Sequence, residues 1–225
     1  MSEDAERFIT LSFDDGWISQ FRNAFPLMKE RGMVGTFYII GRVTALRYLM
    51  GVMSPIQLRV LQDAGNEIAS HSATHRRFTD LTDEEIVEEC VKSKKTLESL
   101  GLTVNNFRYP KGESNDHIDS IVSRYYRSGC YGRGYVKLPI TTWKIPTLGA
   151  WGRDLPVLRS RLDYAYANDL WLNIGFHDIS DEKTTGNGNV TVRDFTQLLD
   201  YIQYKNFTTL TVNQVLNLSL RQPVL

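Results

Sequence analysis

Phe8-Ile9-Thr10-Leu11-Ser12-Phe13-Asp14-Asp15-Gly16 decides the reading of this chain. Apolar residues alternate with small hydroxylated ones, the period of a half-buried strand, and the run stops at two acids and a glycine. The acids therefore close a strand at its C-terminal end. Two more segments have the same form: Glu67-Ile68-Ala69-Ser70 runs into His71, and Trp171-Leu172-Asn173-Ile174-Gly175-Phe176 runs into His177. Parallel strands share one rim at their C-terminal ends, and such folds place their chemistry there. Asp14, Asp15, His71, His75 and His177 are expected together on that rim.

Working outward, the segments alternate. A helix is predicted over 18–30, a strand over 36–40 and a helix over 55–64, ahead of the strand that leads to His71. Thr82-Asp83-Glu84-Glu85 is a capping-box pattern opening a helix whose buried stripe is Ile86, Val87, Cys90, Val91 and Leu97. Phe107-Arg108 ends the next strand. Helices over 158–166 and from Thr191 to Tyr204, a strand over 207–210 and a last helix opened by Thr211 complete the chain. This βα alternation is the sign of an α/β fold with a parallel sheet, here of seven or eight strands. The 225 residues suit one domain over 1–225, with no linker and no repeat beyond the βα unit.

The chemistry follows from the rim. A divalent ion such as zinc takes imidazole and carboxylate ligands, and a catalytic site uses three of them with one position open. Asp15, His71 and His75 fill that set. Asp14 stays free to accept a proton from a water that the ion acidifies. Alone, Asp-Asp-Gly marks a turn and His-x-x-x-His a chance spacing on a helix face; the shared strand-end position makes both candidates. His117 lies in a polar run and reads as a surface residue.

Four ordered motifs extend the pattern: Ser12-Phe13-Asp14-Asp15-Gly16, His71-Ser72-Ala73-Thr74-His75, Arg108-Tyr109-Pro110-Lys111-Gly112 and Phe176-His177-Asp178. Together they closely resemble the polysaccharide deacetylases, the NodB-homology enzymes of carbohydrate esterase family four, over about residues 8–216. The resemblance implies a distorted (β/α) barrel and a metal-dependent hydrolase that removes N-acetyl groups from N-acetylglucosamine-containing glycans. It implies Asp14 as general base, Asp15, His71 and His75 as metal ligands, and Arg108 as the residue orienting the base. It further implies the Lys111 backbone N–H as oxyanion donor and His177 as the acid that protonates the departing amine. An ionised acid and a charged imidazole acting together predict a bell-shaped pH dependence.

Two departures stand out. Many members carry an aromatic residue where this chain has Lys111, so the groove wall here becomes cationic. The motif that supplies an acid partner for the catalytic histidine is not readable; Trp143, Trp151 and Asp154 are the nearest candidates, and Trp151 is the candidate acetyl-pocket residue. Tyr109, Tyr131, Tyr135, Trp143 and Trp151 could offer sugar platforms, though core packing is the default for each. The polar stretch 181–189 reads equally as a surface loop or a lid over substrate.

Composition narrows the partners. With 26 basic and 26 acidic residues the formal charge is zero, so neither nucleic acid nor a membrane surface is indicated, and no stretch is long enough to span a bilayer. An N-acetylated glycan is the expected partner. Zinc is the default ion, with cobalt, nickel and iron compatible with the same ligands. Met1–Arg7 lacks the basic start and apolar core of a signal peptide, so a cytoplasmic location is expected as written, and a cell-envelope or secreted one if an export segment precedes it. Cys90 and Cys130 are expected as buried thiols. Two other classes stay open: a related amidohydrolase acting on a small carboxamide or formylated amino sugar, and a noncatalytic carbohydrate-binding descendant. The second would have lost the base, a ligand or the acid, and none is missing.

Overall fold

The computed structural model describes residues 7–42, 51–140, 143–181 and 189–221. Nearly all of the 181–189 stretch, and with it the lid question, lies outside them. Eight parallel strands form a curled half-barrel in the order β6-β5-β4-β3-β2-β1-β8-β7, with a ninth, β9, beside β1. Their ranges are β1 Arg7–Asp14, β2 Gly35–Ile39, β3 Glu67–Ser70, β4 Phe107–Arg108, β5 Gly129–Cys130, β6 Lys144–Ile145, β7 Leu148–Gly149, β8 Leu172–Phe176 and β9 Phe207–Thr209. The two ends of that order are contiguous in the chain, because only Pro146 and Thr147 separate β6 from β7. The barrel thus closes through a stretch of chain where a ladder would otherwise run.

The period-two pattern of β1 sorts its faces. Ile9, Leu11 and Phe13 are fully buried in the larger apolar cluster, where Phe13 stacks on Phe37 at 4.6 Å and on Phe176 at 5.4 Å. Thr10, Ser12 and Asp14 are buried on the opposite, inner face. There the Trp171 indole donates to Thr10 Oγ1 at 3.0 Å, and Ser12 donates to Asn173. A polar interior held by side-chain bonds leaves few orphaned groups, which is what allows hydroxyls and amides to replace methyls in a barrel centre.

Helices cover the outer face, except Val212–Arg221, whose Val212, Val215 and Leu216 pack with Tyr38, Ala69, Ile145 and Trp171. Pro55–Asp63 and Asp83–Ser99 both open on capping boxes, made by Ser54 with Gln57 and by Thr82 with Glu85. Asp83–Ser99 buries Ile86, Cys90 and Leu97 on one stripe. The helix predicted over 18–30 is divided: Gln20–Ala24 is π-helical and Phe25–Glu30 is α-helical. Such widened turns cluster at functional sites, and this one aims Gln20 inward. Cys90 and Cys130 are buried free thiols, and no described helix is long and apolar enough to cross a membrane.

Candidate active site

Asp14, Asp15, His71, His75, Arg108, Tyr109, Lys111, Trp151 and His177 line one cleft of about 470 Å³ at the C-terminal rim, which Tyr135, Trp143 and Asp154 do not line. The register explains the convergence. Asp14 pairs with Tyr38 across β1 and β2, Phe13 with Phe176 across β1 and β8, and Ser70 with Phe107 across β3 and β4. β1 and β4 end in Asp14 and Arg108, β3 and β8 lead directly into His71 and His177, and all four residues line the same opening.

Asp15, His71 and His75 form a group able to hold a metal ion, their ligand atoms all within 4.8 Å of one another. His75 Nε2 lies 3.4 Å and His71 Nε2 3.7 Å from Asp15 Oδ1. Ligands at zinc distances around a tetrahedral ion stand about 3.4 Å apart, so the set fits. Two further observations support the fit. Asp15 Oδ1 is buried with no hydrogen-bond partner among the described residues. His71 Nδ1 bonds the Arg108 carbonyl at 2.8 Å, which leaves the Nε2 lone pair facing the acid, the usual second-shell arrangement of a ligand histidine. Burial pushes the His71 imidazole down to about 3, keeping it neutral as a ligand must be. Burial also acts to raise the Asp15 carboxyl, but His71, His177, His75 and the Trp17 N–H outweigh it and hold it below its usual value.

Asp14 has a different setting. It is 2 % exposed; Oδ2 is paired with Arg108 Nε at 3.0 Å, and Oδ1 is buried without a partner among the described residues. Burial raises its carboxyl above the ordinary range, against the pull of Arg108 and His177. Arg108 is itself fixed by Thr147 Oγ1 at 3.2 Å, and Thr147 accepts from Asn173 at 2.9 Å. The residue that closes the barrel thus connects the arginine of β4 to the inner face of β8.

His177 Nε2 lies 3.8 Å from Asp14 Oδ2 and 3.9 Å from Asp15 Oδ2. Its Nδ1 is buried and lacks a hydrogen-bond partner among the described residues. The acid partner left open by the sequence is not supplied here by Asp154, which is exposed at the start of the Leu155–Ala167 helix. Trp151 instead packs edge-on to the His177 ring, with centroids 4.5 Å apart. Its seat is made by glycines: a Cβ on Gly149 would lie 2.4 Å from the indole, and one on Gly175 would lie 3.2 Å from it.

Tyr109 is fully buried. Its ring packs among Phe78, Phe107 and Tyr131, and its hydroxyl donates to Asp119 at 2.7 Å, so it forms the cleft's foundation and offers no open face for stacking. Lys111 is exposed at the cleft edge. Asp15, His75 and Lys111 all have left-handed backbone, at φ 70°, 66° and 65°. Strain of this kind collects at sites whose geometry the surroundings over-determine.

Two supports escaped the sequence. Gln20 Nε2 donates to the Asp14 carbonyl at 2.6 Å and the His177 carbonyl at 2.7 Å, tying β1 to β8 at the rim. Glu89 accepts from the Thr74 N–H at 2.8 Å and from the Thr74 hydroxyl, while Ser72 Oγ accepts from the His75 N–H at 2.9 Å. Both look like ordinary polar residues of amphipathic helices, and nothing in their spacing marks them.

A family model described as polysaccharide deacetylase matches residues 2–126, more than half of the sequence. The chain belongs to the polysaccharide deacetylase family. This family member is similar to chitin deacetylase 1 of Cryptococcus neoformans var. grubii, 30% identical over 115 residues, which are 51% of this chain and 23% of that protein. The matched stretches span only 39% and 23% of the first two curated relatives' lengths. In fold, the deacetylase-family chain resembles the CE4 domain of a multidomain xylanase from the hindgut metagenome of Trinervitermes trinervoides. The TM-score there is 0.67 at 20% identity, with 98% of this chain and 94% of that one covered. The peptidoglycan deacetylase PdaC of Bacillus subtilis gives 0.64 at 19% identity, with 97% and 94% covered.

Proposed function

We propose that the chain is a metal-dependent hydrolase that removes N-acetyl groups from N-acetylglucosamine-containing polysaccharide or oligosaccharide, its catalytic unit spanning about residues 8–216 of a single domain. The observation that carries this is the meeting, in one cleft, of a three-ligand group and a buried carboxylate with an unpartnered oxygen. Asp15, His71 and His75 hold the ion, with zinc the default by ligand type. Once bound, it supplies Lewis acidity, polarising the acetyl carbonyl and lowering the pKa of water.

The chain's own groups do the rest. Arg108 holds Asp14 by Oδ2, so the free Oδ1 takes the proton of the attacking water. The Lys111 N–H helps carry the charge that develops on the carbonyl oxygen. His177, oriented by Trp151, gives its proton to the departing nitrogen, releasing acetate and a free amine. The cleft exceeds what one acetamide fills and suits an oligosaccharide. The relative named as a chitin deacetylase and the structural neighbour named as a peptidoglycan deacetylase point to the same substrate class.

Acetate release from N-acetylated oligosaccharides, before and after chelation and metal add-back, tests this. Release that stops on chelation and returns with zinc is expected. Activity indifferent to chelator, or confined to monomeric amides, would contradict it.

A further inference from the structure

Of the acids and bases lining the cleft, Asp14 is matched by Arg108, Asp15 belongs to the ligand group, and Glu113 is paired from outside by Arg77. Lys111 and Arg133 remain. Both are exposed, and neither has a carboxylate partner among the described residues. Arg133 has company. Arg161, half-buried, donates to the carbonyl of Gly149, the cleft residue under the Trp151 ring, at 2.6 Å. Arg153 follows Trp151 by two positions, and its N–H bonds the Ala150 carbonyl at 3.1 Å. Neither guanidinium forms an ion pair among the described residues, and Asp154, next in the chain, pairs with neither. Burial, Arg153 and Arg133 act to depress Arg161 against the opposing pull of Tyr135, so Arg161 lies within electrostatic reach of both other cations. Uncompensated like charge beside a cleft, in a chain with zero formal charge, costs stability unless something else calls for it.

We propose that Arg133, Arg153 and Arg161, with Lys111 lining the same cleft, form an oxyanion-binding subsite beside the catalytic groups, selecting glycans that carry a carboxylate or phosphate ester close to the acetylated sugar. The inference rests on the deacetylase reading and narrows its substrate class. Guanidinium forks match both oxyanions, and an anion brought near several unpaired cations gains at each of them. The same cluster repels the ammonium of a sugar already deacetylated, so neighbouring acetylated units are preferred over free amines.

The test uses four N-acetylated oligosaccharides of equal length: neutral, carboxylate-bearing, the methyl ester of that acid, and phosphate-bearing. Equilibrium binding to the zinc-loaded chain is measured alongside acetate release. Binding of the carboxylate or phosphate oligomer about tenfold tighter than the neutral one and the ester is expected, with the gap shrinking at high salt. In an Arg133→Gln/Arg153→Gln variant, which leaves the Arg161 bond to Gly149 in place, the anionic-to-neutral ratio should fall toward one. Preference for only one of the two oxyanions identifies the source of the charge. Equal binding of all four, or an unchanged ratio in the variant, overturns the subsite while acetate release from the neutral oligomer leaves the deacetylase reading standing. If no oligomer releases acetate that reading fails, and the binding ratio alone then decides the subsite.

Discussion

On one side of the cleft, β1, β2 and β3 run for eight, five and four residues and deliver Asp14, Asp15 and the His71–His75 loop from a continuous hydrogen-bonded ladder. On the other, β5, β6 and β7 are two residues each, and Thr147 and Trp151 are held by a side-chain bond, close glycine contacts and chain closure. The proposed metal and base chemistry therefore stands on backbone, where position is set by the register of a sheet. The proposed sugar-facing wall stands on side chains, where single substitutions can reshape it without disturbing the ladder. The family model follows the same division, since it covers the ladder side and ends at residue 126.

The largest effect is expected on the ladder side. Asp14→Asn should lower kcat by about 10²–10⁴-fold, the range for a lost general base, while the metal remains bound. A variant with near-normal turnover would place the base elsewhere and remove the distinction between the two walls.

Arg108 joins the walls, pairing with Asp14 of β1 and with Thr147 of the closing segment. Arg108→Ala should destabilise the fold by about 3 kcal/mol in urea denaturation, because it strands a buried carboxylate. The pH profile gives a second reading of the same pair. A base works only when ionised, and burial raises Asp14 above a free aspartate's 3.8, so the acid limb of kcat/KM lies above that value. Arg108 pulls in the opposite direction, so Arg108→Gln should move the limb to still higher pH. An unmoved limb would show that the ion pair does not tune the proposed base.

The sugar-facing wall should answer to steric change. Gly149→Ala places a methyl 2.4 Å from Trp151 and should cost about 1–3 kcal/mol of stability, with kcat falling as the indole leaves His177. Thermal unfolding and turnover measured together check this; a drop in stability with kcat intact would separate Trp151 from the proposed chemistry. The smallest effect has the opposite sign. Lys111→Gly relieves left-handed backbone at φ 65° and keeps the N–H, so it should stabilise the chain by up to about 1 kcal/mol. A loss of stability would mean that the lysine side chain has a structural role.

The same division governs what could be read from sequence. Alternation needs four or more residues to show, so β1, β3 and β8, with the acids and histidines at their ends, were legible. Two-residue strands carry no period, and β5, β6 and β7 were not. The capping boxes at Thr82 and Thr211 were visible because they are local pairs three residues apart. Gln20 and Glu89 act across the fold, on carbonyls and loops remote in sequence, and left no local mark. The turn that brings Trp151 against His177 depends on Gly149 and Gly175 being small, a requirement that appears only once the indole is in place. Tyr109 could be read as a sugar platform or, by default, as core, and it is core, its hydroxyl bonded to Asp119 in the helix Asp116–Val122.

Metal stoichiometry tests whether Asp15, His71 and His75 hold an ion together. Purified chain stripped with chelator and titrated with zinc in a calorimeter should bind about one equivalent, and an Asp15→Ala/His71→Ala double variant that remains folded should bind none in the same range. Undiminished one-to-one binding by that variant, or no binding by the unaltered chain, would show that these three side chains are not the metal ligands.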